Sequence, residues 1–323
     1  MTTPQVRSDV TRSVFPRAMP GWSCRRLRYI AEATGVRVAF AFFRLLPVDA
    51  ASAIGGGIFQ RLGPLTAVHR IADANIKAAL PELTATDRRN VLKGMWNNLG
   101  RVIGEYAHLN RLAADPRRVE IIDRENVLAR AVSLGKGALG LSAHFGNWEL
   151  LPLPACRAGA RQFDLYRAAN NPNVDNILKR ARLKLARGGL IPKGLAGMRE
   201  TVSRLRQGEF IGMLIDQKTN EGISVEFFGR PAMTTRTPAV LAYRFGCPIF
   251  VALVERVNGA HFQIHIHEVK PIRSGNYRRD IKRTTRAIND ILEVAIRDRP
   301  ELWMWVHRRW GDRAVDTRVN GAA

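Results

Sequence analysis

Residues 136–149 read Lys-Gly-Ala-Leu-Gly-Leu-Ser-Ala-His-Phe-Gly-Asn-Trp-Glu. Ala138 to Ala143 is a short, mostly apolar run, one of several that alternate with helical patterns as strands of a β-α-β sheet do. His144 ends the run, Gly146 permits a tight turn, and Asn147 is a favourable helix N-cap. Strand, turn and helix start are therefore expected in that order. In open α/β sheets this junction, at the carboxyl end of a strand, is where ligands bind.

Similar runs recur at Gln162 to Tyr166, Phe210 to Ile215 and Pro248 to Val257. Helical spacing fills Val174 to Arg187, Leu195 to Gln207 and Pro238 to Phe245, the last two closed by Gly208 and Gly246. That alternation predicts an α/β fold with a mixed, mostly parallel sheet flanked by helices. Asn258-Gly259 between two strand-like runs adds a hairpin, and so at least one antiparallel strand. Before residue 135 the texture is helical. One helix is expected from His69 to Leu80, stopped by Pro81; another follows Thr84 and Asp87, a capping-box pair, through Leu92, Met95, Leu99, Val102 and Tyr106. The chain thus divides into a basic arm over 1–28, a helical, membrane-associating region over 29–134 and an α/β core over 135–323.

Lys and Arg number 51 against 28 Asp and Glu, a net charge of +23, which suits an anionic partner: nucleic acid, anionic lipid or an acidic protein. The arm carries Arg7, Arg12, Arg17, Arg25, Arg26 and Arg28 against Asp9 alone, without the apolar centre of a secretory signal. Val36 to Phe59 is interrupted by Arg37, Arg44, Pro47 and Asp49 and so is too broken to span a bilayer. Its Val38, Phe40, Phe42 and Phe43 fit either a helix lying among lipid headgroups or an ordinary core-facing one. Cys24, Cys156 and Cys247 are far apart and odd in number, as in a reduced compartment.

The polar residues at the strand ends carry the chemistry. His144, Arg167 and Asp216 each follow a different run, so all three are expected on one edge of the sheet. A histidine takes up a proton near neutral pH, and a carboxylate on its other nitrogen fixes the tautomer. Glu149, five residues on, fits that second role only if the pair straddles a strand end and a helix start, since five residues along a helix turn about 140°. Pro152 and Pro154 remove helical donors directly afterwards and predict a kinked or late helix. Ser142 lacks the second glycine of a nucleophile elbow, which leaves a substrate hydroxyl as the group His144 would activate. His261, His265 and His267 share one face of a strand, but no carboxylate or cysteine motif completes a zinc shell. Trp303, Trp305 and Trp310 among Arg308, Arg309 and Arg313 suit a membrane interface or lipid phosphate as well as nucleic-acid stacking. No Walker loop or Gly-x-Gly-x-x-Gly occurs.

His144-Phe-Gly-Asn-Trp-Glu149 resembles the H-x4-(D/E) signature of the glycerolipid acyltransferase superfamily, and specifically that of the bacterial lipid A biosynthesis acyltransferases. Tyr166-Arg167 with Asn171-Pro172 and Asp175, Asp216-Gln217, Phe228-Gly229 with Pro231, and Trp305-Val-His307-Arg308-Arg309-Trp310 resemble further blocks of that family, and Asn75 to Glu82 resembles the helix before its core. The likeness implies transfer of an acyl chain from acyl carrier protein to a hydroxyl of a lipid A precursor, at the cytoplasmic face of the inner membrane, without cofactor or metal. It implies His144 as general base and Glu149 as its partner, with Arg167, Asp216, Asn147, Tyr166, Asn171, Gln217 and Arg309 at the substrate or transition state. Arg167 would meet phosphate or oxyanion, and Asp216 would orient the base or that arginine. The charge of +23 suits an acidic carrier, a phosphorylated acceptor and anionic inner-membrane lipid, with no nucleic acid. Other readings are acylation of a glycerophospholipid or another glycolipid, or a basic protein that binds anionic membrane or nucleic acid without catalysis.

Overall fold

The computed structural model describes residues 20–311, with side chains from Cys24 onward. Five helices come first: α1 (Pro20–Leu45), α2 (Val48–Leu62), α3 (Val68–Ala79), α4 (Ala85–Glu105) and α5 (Leu109–Ala114). Pro47 separates α1 from α2, and the Thr84 hydroxyl accepts from the Asp87 N–H as the cap of α4. There follow β1 (Val119–Ile122), α6 (Val127–Ser133), β2 (Ala138–Ser142), α7 (Leu153–Arg157), β3 (Gln162–Tyr166), α8 (Pro172–Arg182), β4 (Gly189–Pro192), α9 (Leu195–Arg206) and β5 (Phe210–Leu214). A hairpin of β6 (Ile223–Phe227) and β7 (Arg230–Thr234) leads to α10 (Thr237–Phe245), β8 (Ile249–Asn258), β9 (His261–Val269) and α11 (Tyr277–Asp298).

The main sheet has seven strands in the order β1-β9-β8-β2-β5-β3-β4. All its pairs are parallel except β8 with β9, the hairpin turned at Asn258-Gly259, and this is the mixed α/β sheet read from the sequence. Two expectations need correction. β1 lies inside the stretch expected to be wholly helical, and its four residues are too few to show a period. α1 begins at Pro20, so residues 20–28 of the expected arm are helical; Arg7, Arg12 and Arg17 lie outside the described residues.

Both faces of the sheet are covered, which is why β5, most of β2 and the first part of β8 are apolar on both faces. Leu141, Met213 and Val251 pack with Trp303, Trp305 and Ile288 on one side; Phe210, Phe250 and Val254 pack with Leu112, Leu128 and Leu150 on the other. The amino-terminal helices join this core through buried polar groups. Glu105, at the end of α4, pairs through both carboxylate oxygens with the Arg256 guanidinium and accepts from Ser52 Oγ (2.6 Å) and Asn147 Nδ2 (2.8 Å). Asn98 donates to the Gly146 carbonyl (3.0 Å) and accepts from Arg256 Nε (3.0 Å). α2 and α4 sit close because a Cβ at Gly100 would meet the Gly55 carbonyl oxygen at 2.2 Å.

Among the described residues no helix is long and apolar enough to cross a membrane. Phe43 is buried and Phe40 stacks on Tyr106 at 5.6 Å, while Val38, Phe42 and Leu45 of α1 and Ile54, Ile58 and Leu62 of α2 are exposed. α1 therefore serves the core with one side and presents apolar side chains outward with the other.

Removing one member of a buried ion pair strands its partner's charge, at a cost of about 3–5 kcal/mol. Glu105→Ala is expected to lower unfolding stability by that amount, read as a lower urea midpoint at unchanged slope. An unchanged midpoint would remove Glu105 from the framework.

Candidate active site

β2 and β5 lie side by side in a register that pairs Ser142 with Leu214. Two residues further on, His144 and Asp216 leave the sheet together. His144 Nδ1 is 2.9 Å from Asp216 Oδ1, and the His144 backbone N–H donates to Asp216 Oδ2 (3.0 Å). Trp303 Nε1 donates to Oδ2 as well (2.8 Å). Burial alone would push the Asp216 carboxyl up, but the His144 charge and these hydrogen bonds outweigh it and hold the group far below the usual carboxylate range. A carboxylate that remains ionised makes Nδ1 the protonated nitrogen of a neutral His144 and leaves a lone pair on Nε2.

Nε2 faces Gln217 and His307. The Gln217 Nε2 lies 2.9 Å from His307 Nε2 and 3.5 Å from His144 Nε2, so it donates to the first and makes at most a weak contact with the second. Burial, followed by the neighbouring His144, lowers the pKa of His307 and keeps it neutral at pH 7. Ser142 is buried and donates to the Ala252 carbonyl (2.6 Å), so it is not poised as a nucleophile.

Glu149 does not reach His144, contrary to the expected pairing. Its oxygens accept from Arg182 Nε (2.8 Å) and Nη2 (2.6 Å) on α8 and from Trp148 Nε1 (3.1 Å). The cause is local. Gly146 turns the chain at φ 56°, where a Cβ would stand 1.6 Å from the Val254 carbonyl oxygen. Asn147 Oδ1 then accepts from the Glu149 N–H (3.2 Å), shaping a single 3₁₀ turn over Trp148–Leu150, and the prolines delay α7 until Leu153. The carboxylate is thereby carried to α8, and the place beside Nδ1 falls to Asp216.

A cavity of about 300 Å³ opens at this edge, lined by His144, Glu149, Tyr166, Arg167, Gln217 and His307, with Arg182 and Lys193 as further cations and Leu165, Leu190 and Met213 as apolar wall. Five expected site residues thus line it, and Asp216 lies buried beneath. Three do not. Asn147 is buried and donates to Glu105. Asn171 caps α8, accepting from the Asn173 N–H (2.9 Å), and ties it to α1 by donating to the Tyr29 carbonyl (2.8 Å) and Glu32 (2.9 Å). Arg309 is 1% exposed, donates to the Met233 carbonyl (2.9 Å) and Thr234 Oγ1 (2.7 Å), and burial lowers its pKa to about 10. It pins the chain behind the site.

The tryptophans are corrected likewise: Trp303 and Trp305 are buried and pack with Phe228 and Trp310, which makes them core rather than an interface for lipid or nucleic acid. Arg313 lies outside the described residues. His307, Trp303, Arg182 and Asn75 were not expected at the site individually. Asn75 Nδ2 holds the Trp305 and His307 carbonyls (2.7 Å each), and an asparagine on the apolar face of α3 was its signal.

Asp164 also lines the cavity, with Gln162 Nε2 donating to it at 2.7 Å. Burial raises its pKa from 3.8 to about 6, against that hydrogen bond and with help from Glu149. Between pH 3.8 and about 6 the unfolded chain releases the proton while the folded chain retains it, so this carboxyl costs stability as pH rises through the window. Asp164→Asn is therefore expected to melt above the native protein at pH 8, by up to ~3 kcal/mol, with the gap closing as pH falls towards 4. Melting curves at the two pH values test it; a gap independent of pH contradicts it.

The model of the family described as bacterial lipid A biosynthesis acyltransferase matches residues 20–312. The lipid A biosynthesis lauroyltransferase of Escherichia coli (strain K12) is 26% identical over 261 residues, which cover 76% of this chain and 79% of that one. The palmitoleoyltransferase of lipid A biosynthesis from the same strain is 24% identical over 258 residues, with the same coverage, and a lipid A biosynthesis acyltransferase of Haemophilus influenzae is 23% identical over 242 residues, 73% of each chain. The match spans the helices that carry Asn75 and Glu105, the strand ends that carry His144 and Asp216, and the segment around Trp303. The chain belongs to the bacterial lipid A biosynthesis acyltransferase family.

Proposed function

We propose that this acyltransferase moves a fatty acyl chain from an acyl carrier protein thioester to a hydroxyl of a lipid A precursor, with His144 as general base and Asp216 as the carboxylate that orients it. The observation that carries the reading is the Asp216–His144 pair at 2.9 Å with Nε2 turned to the cavity. His144 Nε2 takes the proton of the acceptor hydroxyl as its oxygen attacks the thioester carbonyl. The carbon–sulfur bond then breaks, His144 returns the proton to the departing sulfur, and an ester and a free thiol result. Asp216, kept ionised, stabilises the imidazolium formed between the two steps.

Arg167 and Lys193 line the same cavity and supply positive charge for an oxyanion or a substrate phosphate. Gln217 holds His307 beside the base. Glu149 acts through Arg182, fixing the cavity wall rather than the imidazole. The net charge of +23 favours an acidic carrier and a phosphorylated acceptor, and the exposed apolar residues of α1 and α2 favour attachment to the surface of the inner membrane on its cytoplasmic side.

The test is turnover of acyl carrier protein thioester and lipid A precursor by purified variants, with the product weighed by mass spectrometry. His144→Ala is expected to lose about 10²- to 10⁴-fold in kcat without unfolding, and Asp216→Asn about 10²-fold or more. Glu149→Gln is expected to lose less than Asp216→Asn. Native turnover in Asp216→Asn, or the reverse ranking of the two carboxylates, would return the orienting role to Glu149.

A further inference from the structure

A second concavity, of about 380 Å³, lies between α1 and α8. One side is the stripe Arg37, Phe40, Ala41 and Arg44 of α1, at the spacing of a single helical face. The other is the matching stripe Ile177, Arg180 and Ala181 of α8, with Lys184 just beyond its end. Arg37 and Arg44 thus flank Phe40 and Ala41 on α1, Arg180 and Lys184 flank Ala181 at the end of α8, and Tyr106 lines the groove with them.

Four cations line the groove and no carboxylate does. Among the described residues none of the four makes an ion pair, because the nearby acids are already engaged: Glu32 with Arg28, Asp175 with Lys179, Glu149 with Arg182. Four like charges gathered without a counter-charge repel one another, and the arrangement is relieved when an anion binds. A phosphate monoester, with up to two negative charges and three acceptor oxygens, suits a ring of guanidinium and ammonium donors.

The position says which phosphate. Val38, Phe42 and Leu45 on α1 and Leu183 beside Lys184 are exposed, so apolar side chains flank the groove as they would at a lipid headgroup layer. On its inner side the groove abuts the catalytic cavity. Arg182, which lines the cavity, lies over the ring of Tyr106, which lines the groove, at 5.8 Å. The walls of the two hollows therefore touch at this contact.

We propose that Arg37, Arg44, Arg180 and Lys184 bind a phosphate of the glycolipid acceptor and hold it with an acyl hydroxyl towards His144. This rests on the acyltransferase reading above and adds the feature by which the acceptor is chosen.

The experiment compares native protein with Arg44→Gln/Arg180→Gln on lipid A precursor and on the same precursor after phosphatase treatment, both in nonionic micelles. The double variant is expected to raise KM for the phosphorylated form about 10-fold or more, with kcat near native and KM for the dephosphorylated form unchanged. Arg44→Lys/Arg180→Lys, which keeps the charge, is expected to recover most of the affinity. Equal effects on both forms of the acceptor, or none, would overturn the proposal. So would a KM rise confined to the acyl carrier protein thioester, or a loss confined to adsorption on phosphatidylglycerol vesicles, since these would give the groove to the carrier or to bulk lipid. If the native chain acylates neither form, the acyltransferase reading fails by itself. The groove is then judged by binding of radiolabelled precursor to His144→Ala protein: about 10-fold weaker binding on adding the two Gln substitutions supports it, and equal binding overturns it.

Discussion

Glu105 and Arg256 are both removed from water, and neither charge is tolerable there unless every one of its lone pairs and protons is met. That requirement organises the molecule. Arg256 comes from β8 and Glu105 from the end of α4, while Ser52 of α2, Asn98 of α4, Asn147 of the motif loop and the Gly259 carbonyl are their other partners. The helical region is consequently part of the scaffold that fixes the loop after β2. Its two sides serve two environments, with polar groups turned to this network and apolar side chains of α1 and α2 turned outward.

The same constraint explains the division of labour between the two carboxylates. Asp216 is surrounded by donors from His144 and Trp303, and its ionised form is stabilised where burial would otherwise protonate it. Glu149 is met by a guanidinium and an indole. Each acid has one partner set, and exchanging them would require the 3₁₀ turn at Trp148–Leu150 to unwind. Asp164, facing the cavity, has one amide donor, and burial raises its pKa.

Much of this was legible in the sequence. Apolar runs mark β2, β5 and the first part of β8 because strands buried on both faces need them, β3 interrupts its own with Gln162 and Asp164, and the caps at Thr84, Gly208 and Gly246 mark helix ends because backbone groups there need partners. β1, β4 and β7 carry no comparable run, and β6 shows only one brief alternation, Ile223, Val225 and Phe227 against Ser224 and Glu226. The edge on which His144, Arg167 and Asp216 converge was legible too, since each follows a strand. What was not legible is which strands are neighbours. β5 sits between β2 and β3, so Asp216 stands one strand from His144 and Arg167 two, roughly 10 Å at the usual strand spacing. Order in the sheet is set by packing of the whole chain, and the motif Asn171 and Arg309 match records their presence without their purpose, which is to cap and to pin.

His144 is held by a segment far from it in sequence. Met304 donates its backbone N–H to the His144 carbonyl, Gly146 donates to Leu302, Phe145 bridges to Trp303, and Trp303 anchors Asp216. A ribosome makes these residues in one direction, and the segment 302–307 appears only after every strand of the sheet. Helices and strands of the scaffold can form as they emerge, but the imidazole stays without its full support until this later segment has been made. A product truncated or stalled before Leu302 would therefore carry the motif without the contacts that hold His144 and Asp216 in place.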